Sequence, residues 1–327
     1  MERRMCTRSH AIQLAIQNSN DREIRKAVAT GNLNKVQKLL LEGASPNTVD
    51  SNGWTLLHLA ASRGTDRVLR ILLQYGGNPE IVDRIGGFTC LHYAAMHGRT
   101  RLARILLEVT KDKFKFIDTQ SVDGWTPLHV SAHYGRDSFV RTLLHFRASV
   151  DMLSSKGTTP LQLAVIKQKL NCVRLLIGAK AKINIQNGFP LRYAVIKDYH
   201  KEVELLLHEG ADATLAREED SQTPLHLAVL RDDVEMCKIL YRFGALCHVL
   251  NDDNETPLDI AKLQVLIDGQ VCNRSCLPII SQLAGNPRSL QELCRFVIRA
   301  VVVSKTELHR LPLPTFMIKY LKFKFSW

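Results

Sequence analysis

Residues 123–146 read DGWTPLHVSAHYGRDSFVRTLLHF, and a complete supersecondary unit can be drawn from them. Asp123-Gly124 makes a turn. Thr126-Pro127 starts a helix, because proline at the first helical position gives up an amide that would be unpaired there anyway. Apolar residues then recur at helical spacing as far as Gly135, which can take the left-handed conformation that ends a helix. Asp137 is placed to cap a second helix carrying Phe139, Val140, Leu143 and Leu144. Each helix has one apolar stripe, so a single unit cannot bury its own greasy face. It needs neighbours.

The neighbours repeat the frame. It appears as TLLH from Thr55, TCLH from Thr89, TPLH from Thr126, TPLQ from Thr159, FPLR from Phe189, TPLH from Thr223 and TPLD from Thr256. The steps between them are 34, 37, 33, 30, 34 and 33 residues. Self-similarity at this period is the signature of a solenoid. The TPLH helix start resembles the ankyrin repeat over about residues 21–265, which implies an all-α solenoid of helix-turn-helix units joined by hairpin loops.

In a solenoid, length counts repeats and not cores, and residues 21–269 hold about seven units at this period. The eight cysteines show no framework spacing, which favours a reducing compartment over a secreted fate. Cys272 and Cys276 have no second ligand pair nearby, which weighs against zinc, and the two glycosylation sequons at Asn254 and Asn273 then read as chance matches. No apolar core opens the chain as a signal peptide would, and the run Phe296–Val303 is too short to span a bilayer. These features point to a cytoplasmic residence, with the nucleus as a second compartment, and to no membrane partner. The formal charge of +12 raises a nucleic-acid reading. Half of that excess lies in residues 288–327, which hold eight Lys/Arg against two Glu, and no DNA-binding motif accompanies it. A solvated or partner-facing basic tail outweighs nucleic-acid binding.

Along the chain, residues 1–20 form a basic N-terminal tail with a short helix over His10–Ile16. Residues 21–269 form the repeat domain with degenerate first and last units. The first unit has Gly31 at its corner and lacks the TPLH start, as capping units often do. Gly64, Gly98 and Gly135 sit at the corners of the next three, with Asp66, Thr100 and Asp137 as helix caps. In later units the corner becomes Gln168, Asp198 and Asp232. The clipped step before Phe189 implies a shortened loop, and the long step before Thr126 implies a surface insertion around KDKFKF, residues 111–116. Residues 270–286 read as an apolar-then-turn connector.

Four frame histidines, His58, His92, His129 and His226, could suggest metal ligands, but each occupies the same internal position of a different repeat. In the ankyrin family that side chain ties neighbouring repeats together, in keeping with how buried polar groups are satisfied. No nucleophile–base constellation, phosphate-binding loop or carboxylate pair is present, so the chain carries no catalytic residues and calls for no cofactor or metal. The position after the turn glycine holds Trp54, Phe88 and Trp125 in three consecutive repeats. In the ankyrin family this position borders the concave binding face, so with the inner-helix residues Arg63, Met96, His97, His133 and Tyr134 these form the candidate binding face. Packing onto the neighbouring hairpins is the competing reading.

In residues 287–327, Leu290, Cys294 and Ile298 fall at i, i+4 and i+8, one narrow apolar stripe on a helix. Periodicity alone would make this a packing helix behind the last repeat. The order S-L-x-x-x-C-x-x-x-I, followed by Leu311-Pro312-Leu313-Pro314 and then Met317, Tyr320 and Leu321, resembles the small three-helix SOCS box. Val303 departs from it, standing where relatives often carry glycine after the first box helix. The whole chain thus resembles the ankyrin repeat and SOCS box family. That resemblance implies a non-catalytic substrate-recognition adaptor of an elongin B/C–cullin–RING ubiquitin ligase. Leu290, Leu293, Cys294 and Ile298 would meet elongin C, with Cys294 serving as a small apolar residue. The LPLP run would present Leu311 and Leu313 to a cullin, cullin five, its prolines fixing an extended corner. The ankyrin stack would hold an unidentified protein substrate. A plain ankyrin scaffold and a nucleic-acid-associated ankyrin protein are the alternatives, and capture of elongin separates the first reading from both.

Overall fold

The computed structural model describes residues 20–110, 112–268 and 276–285, and every regular element among them is helical. The chain divides into two compact units, residues 1–181 and 182–327. The N-terminal tail, including the helix expected over His10–Ile16, lies outside the described residues.

The first unit opens with helix α1 (20–30) and continues through α2 (Leu33–Leu41), α3 (Leu56–Arg63), α4 (Asp66–Gln74), α5 (Cys90–His97), α6 (Thr100–Val109), α7 (Lys113–Ile117), α8 (Pro127–Tyr134), α9 (Asp137–His145), α10 (Pro160–Ile166) and α11 (Leu170–Gly178). First helices α3, α5, α8 and α10 pack side by side in chain order, and second helices α2, α4, α6, α9 and α11 form the other layer. The frame leucines Leu57, Leu91, Leu128 and Leu161 are fully buried between them, each worth ~1.5–3 kcal/mol against exposure. Hairpin tips are joined by one backbone bond per step, from Arg84 N to Asn52 O, Val122 N to Gly86 O and Ser155 N to Asp123 O, each 2.9 Å. Gly124 shows why such a tip needs glycine. Its φ is +72°, and a Cβ there would stand 2.5 Å from the Ser155 nitrogen.

In the first unit each frame threonine, Thr55, Thr89, Thr126 and Thr159, stands at the start of its helix as expected. Thr126 caps α8 from extended backbone, Pro127 is the first helical residue, and Gly135 ends the helix at φ 67°. The second-helix caps differ from expectation. Thr65, Arg99 and Arg136 hold the cap position of α4, α6 and α9, and Asp66, Thr100 and Asp137 come one residue later. The left-handed corner residue leaves a single linking position, so the cap falls immediately after it. The KDKFKF insertion is also not simply a surface loop. It contains α7, whose Phe116 and Ile117 are 2% and 1% exposed, while Phe114 stays outside.

The second unit contains α12 (Ile185–Ile196), α13 (His200–His208), α14 (Pro224–Leu230), α15 (Val234–Arg242), α16 (Pro257–Asp268) and α17 (Leu277–Gly285). The clipped loop is taken up at the start of α12, where Gln186, Asn187 and Gly188 are left-handed in succession. Asp198 and Asp232 hold the corner conformation at φ 57° and 53° without glycine. The stretch expected as a turn-ended connector holds α17 instead, packed on α16 and α15. At its head the Cys276 amide donates to the Asp232 carboxylate at 2.6 Å.

Candidate functional site

The frame histidines are ties. In each, Nδ1 accepts from the amide of the threonine three residues earlier, at 3.1 Å for His58 and His92 and 3.2 Å for His129 and His226. Nε2 reaches the next hairpin, to the carbonyl of Phe88, Trp125, Thr158 or Glu255, at 2.9, 2.9, 3.0 and 3.2 Å. An Nδ1 that accepts and an Nε2 that donates define a neutral ring with its proton on Nε2. Burial lowers the pKa of all four, that of His92 to about 4. Where the frame drifts to Gln162 and Asp259, the bond to the frame threonine is kept. Gln162 accepts from the Thr159 amide at 2.8 Å, and Asp259 does the same for Thr256 at 3.2 Å. Arg192 donates to the carbonyls of Asn187, Gln186 and Ala216. Among the described residues, no group of three or more His, Cys, Asp or Glu side chains could hold a metal ion, and no helix is long and apolar enough to cross a membrane.

Trp54, Phe88 and Trp125 each serve the stack through their backbones. Their amides take Asp50 Oδ1 at 2.8 Å, Asp83 Oδ1 at 3.2 Å and Ser121 Oγ at 3.0 Å, closing each hairpin stem. Their rings are all half-buried. Tyr93 stands between the first two, 4.5 Å from the Trp54 ring and 5.9 Å from Phe88. Trp125 instead meets His133 at 5.1 Å, and His133 meets Tyr134 at 5.0 Å. The three rings therefore share a position but are spaced by other side chains. Arg63, His97 and Tyr134 are exposed, and Met96 and His133 are half-buried. His97 Nε2 lies 3.3 Å from Ser62 Oγ of the preceding repeat, and Arg136 Nε donates to the Met96 carbonyl at 3.0 Å.

Tyr93 and Asp83 were not singled out by sequence reasoning. The Tyr93 hydroxyl donates to the buried Asp83 carboxylate. Burial alone would raise that carboxyl, but bonds from Tyr93 and from the Gly86 and Phe88 amides hold it below its usual range. Burial and Asp83 together push the Tyr93 hydroxyl well up. The sequence signal for this pair is the polar residue that closes each hairpin stem, read together with the residue following the frame histidine. The expected elongin-facing residues Leu290, Leu293, Cys294 and Ile298, and the expected cullin-facing residues Leu311, Pro312, Leu313 and Pro314, lie outside the described residues.

Family models for ankyrin repeats match residues 24–117 and 112–187, and a further ankyrin model matches 205–261. The SOCS box model matches residues 286–322. The chain is 31% identical to human Ankyrin repeat and SOCS box protein 5, over 42% of this chain and 39% of that protein. It is 25% identical to human Ankyrin repeat and SOCS box protein 16, over 55% of this chain and 62% of that one. It is also 28% identical to the chicken Nuclear factor NF-kappa-B p105 subunit, over 72% of this chain and 19% of that protein. The chain thus spans between 39% and 62% of the length of the ankyrin repeat and SOCS box relatives it matches.

Proposed function

Because the chain belongs to the ankyrin repeat and SOCS box proteins, we propose that it is the substrate-recognition adaptor of an elongin B/C–cullin–RING ubiquitin ligase. The observation that carries this reading is the SOCS box match over residues 286–322, directly behind a matched ankyrin stack. Leu290, Leu293, Cys294 and Ile298 form the elongin C stripe. Leu311, Pro312, Leu313 and Pro314 face the cullin, for which we propose cullin five. The stack holds a protein substrate on the side of Trp54, Phe88 and Trp125, with Arg63, Met96, His97, His133 and Tyr134 beside them. Ubiquitin transfer itself is done by the RING subunit and its charged enzyme. This chain contributes proximity, raising the effective concentration of substrate lysines, and promotes proteasomal degradation of what it holds. Cys90, Cys172, Cys237 and Cys276 are buried thiols, which supports a cytoplasmic or nuclear residence. Within the family we place the chain nearest the seventh member, on the stretches IGGFTCLHYAAMHGR and DGWTPLHVSAHYGRDSFVR.

The test is co-purification of elongin B and C with the full chain and with Leu290→Ala combined with Cys294→Ala. Losing a buried leucine at an interface removes ~1.5–3 kcal/mol, so the variant should lose elongin while its circular dichroism and melting stay unchanged. Undiminished elongin capture by the double variant would overturn the reading.

A further inference from the structure

In the first unit, three consecutive second helices begin behind cations. The cap positions of α6, α9 and α11 are Arg99, Arg136 and Lys169, and none makes a side-chain bond to the helix amides. Asn, Asp, Ser and Thr accept such a bond, as Asn32 and Asp233 do ahead of α2 and α15. A cation also opposes the positive end of the helix dipole. Three successive repeats therefore carry a cation where the helix end offers it no bond, and Arg136 instead turns its Nε back to the Met96 carbonyl at 3.0 Å. Departures from local rules concentrate where function constrains the chain.

The three side chains lie back over the preceding repeat. A Cβ on Gly64 would stand 2.8 Å from Arg99, one on Gly98 3.1 Å from Arg136, and one on Gly135 2.6 Å from Lys169. Together with exposed Arg63 and Lys167 they form a cationic ladder along the corners. No ion pair engages any of the five among the described residues. The acids in the same corners are Asp66 and Asp137, and Asp137 is occupied by Asn171 Nδ2 at 2.9 Å and Cys172 Sγ at 3.0 Å. The second unit treats its corners differently. Asp198 takes Arg231 at 2.8 and 2.7 Å, and Asp233 takes His200 at 2.9 Å. Corner side chains of the second unit are paired with carboxylates, and the corner cations of the first unit are left open. Beside the ladder, the buried Nδ1 of His133 has no hydrogen-bond partner among the described residues. Burial, then the nearby cations, lower the pKa of His133 and of His97.

We propose that this ladder docks an acidic protein segment, so that the substrates of the adaptor carry carboxylates at the spacing of the repeats. The proposal rests on the receptor reading for the word substrate, but the ladder itself does not. Helices packed side by side are ~10 Å apart. Carboxylates about three residues apart in an extended chain, or about seven apart along a helix, match that step. A second copy of the chain, at +12, and its own residues 288–327, with eight Lys/Arg against two Glu, would be repelled. Single-stranded RNA stacks on successive open aromatic faces, whereas Trp54 and Trp125 pack on Tyr93 and His133 and Tyr134 is the exposed ring beside the ladder.

The test uses the full chain and fluorescence anisotropy at low salt. The probe is a labelled Gly/Ser peptide with Glu at every third position, compared with its Gln counterpart and with a single-stranded RNA. One variant carries Arg99→Gln, Arg136→Gln and Lys169→Gln. A control removes the same charge from exposed positions of the same second helices, Arg104→Gln, Arg141→Gln and Arg174→Gln. The Glu peptide should bind at least tenfold more weakly to the ladder variant, and within about twofold of the parent to the control. Serine at the three ladder positions should abolish binding without lowering the melting temperature below that of the Gln variant, because serine can cap. Equal loss in the control, equal binding of the Gln peptide, or tighter ladder-dependent binding of RNA would overturn the proposal. Elongin capture is scored in the same preparations. Ladder-dependent peptide binding without elongin capture would end the receptor reading alone, and elongin capture without it would end the ladder alone.

Discussion

His92 offers a quantitative test of what holds the stack together. Only the neutral ring can accept from the Thr89 amide and donate to the Trp125 carbonyl, and burial lowers its pKa to about 4 from 6.5. The unfolded chain therefore binds this proton more readily than the folded one. The contribution of His92 to stability is complete above pH 6.5 and is lost as the pH falls towards 4. The whole of that change amounts to ~3 kcal/mol, of which ~2 kcal/mol is gone by about pH 5. His58, His129 and His226 act in the same direction. The chain itself indicates the perturbation. Gln162 occupies the same frame position and keeps the reciprocal cap with Thr159, so His92→Gln should preserve the cap and remove the titrating ring. Urea unfolding followed by circular dichroism at about pH 7.5 and about pH 5 measures the effect. The first transition is compared, because repeat arrays need not unfold in one step. The variant should lie within ~1 kcal/mol of the parent at the higher pH and lose ~2 kcal/mol less on acidification. An equal acid loss in parent and variant would refute the assignment of a neutral tie.

Three further outcomes are expected. Changing Leu311-Pro312-Leu313-Pro314 to alanines should spare elongin capture and lose the cullin, read by co-purification of each; loss of both together would place the LPLP run in the elongin contact. Residues 157–220 should open before residues 53–150 in hydrogen exchange, since Gln168 and Asp198 hold left-handed backbone without glycine, at ~1–2 kcal/mol each; uniform protection across both segments would contradict this. Trp54→Ala with Trp125→Ala should cost ~2 kcal/mol per half-buried ring and reduce substrate capture; a collapse of the melting temperature with capture retained per folded molecule would assign the rings to packing.

The repeat, its helix start and its first-helix end are legible in the sequence because each rests on one residue with one conformational consequence: Thr126 accepts an amide, Pro127 needs none, and Gly135 turns left-handed. The second-helix caps were not legible, because side-chain preference favours Asp137 while the corner geometry leaves room only for Arg136. Propensity yielded to register. Helix α7 escaped notice for a different reason. Five residues are too few to show a period, and the burial of Phe116 and Ile117 depends on what they meet on neighbouring repeats. The same holds for Tyr93 and Asp83, joined across a hairpin that gives neither a distinctive spacing. Of the candidate site, sequence alone could identify a shared position for Trp54, Phe88 and Trp125, since equivalent frame positions recur in every repeat. It could not say what stands between the rings, because Tyr93 has no counterpart in the following repeat, where Val130 holds its place and Trp125 turns to His133. A solenoid makes the backbone predictable by repetition, and its individual function resides in the side chains that break the repetition. By that criterion, Arg99, Arg136 and Lys169 form the feature of the first unit with the most to explain. They repeat among themselves, each lying back over the corner glycine of the preceding repeat with no ion pair among the described residues.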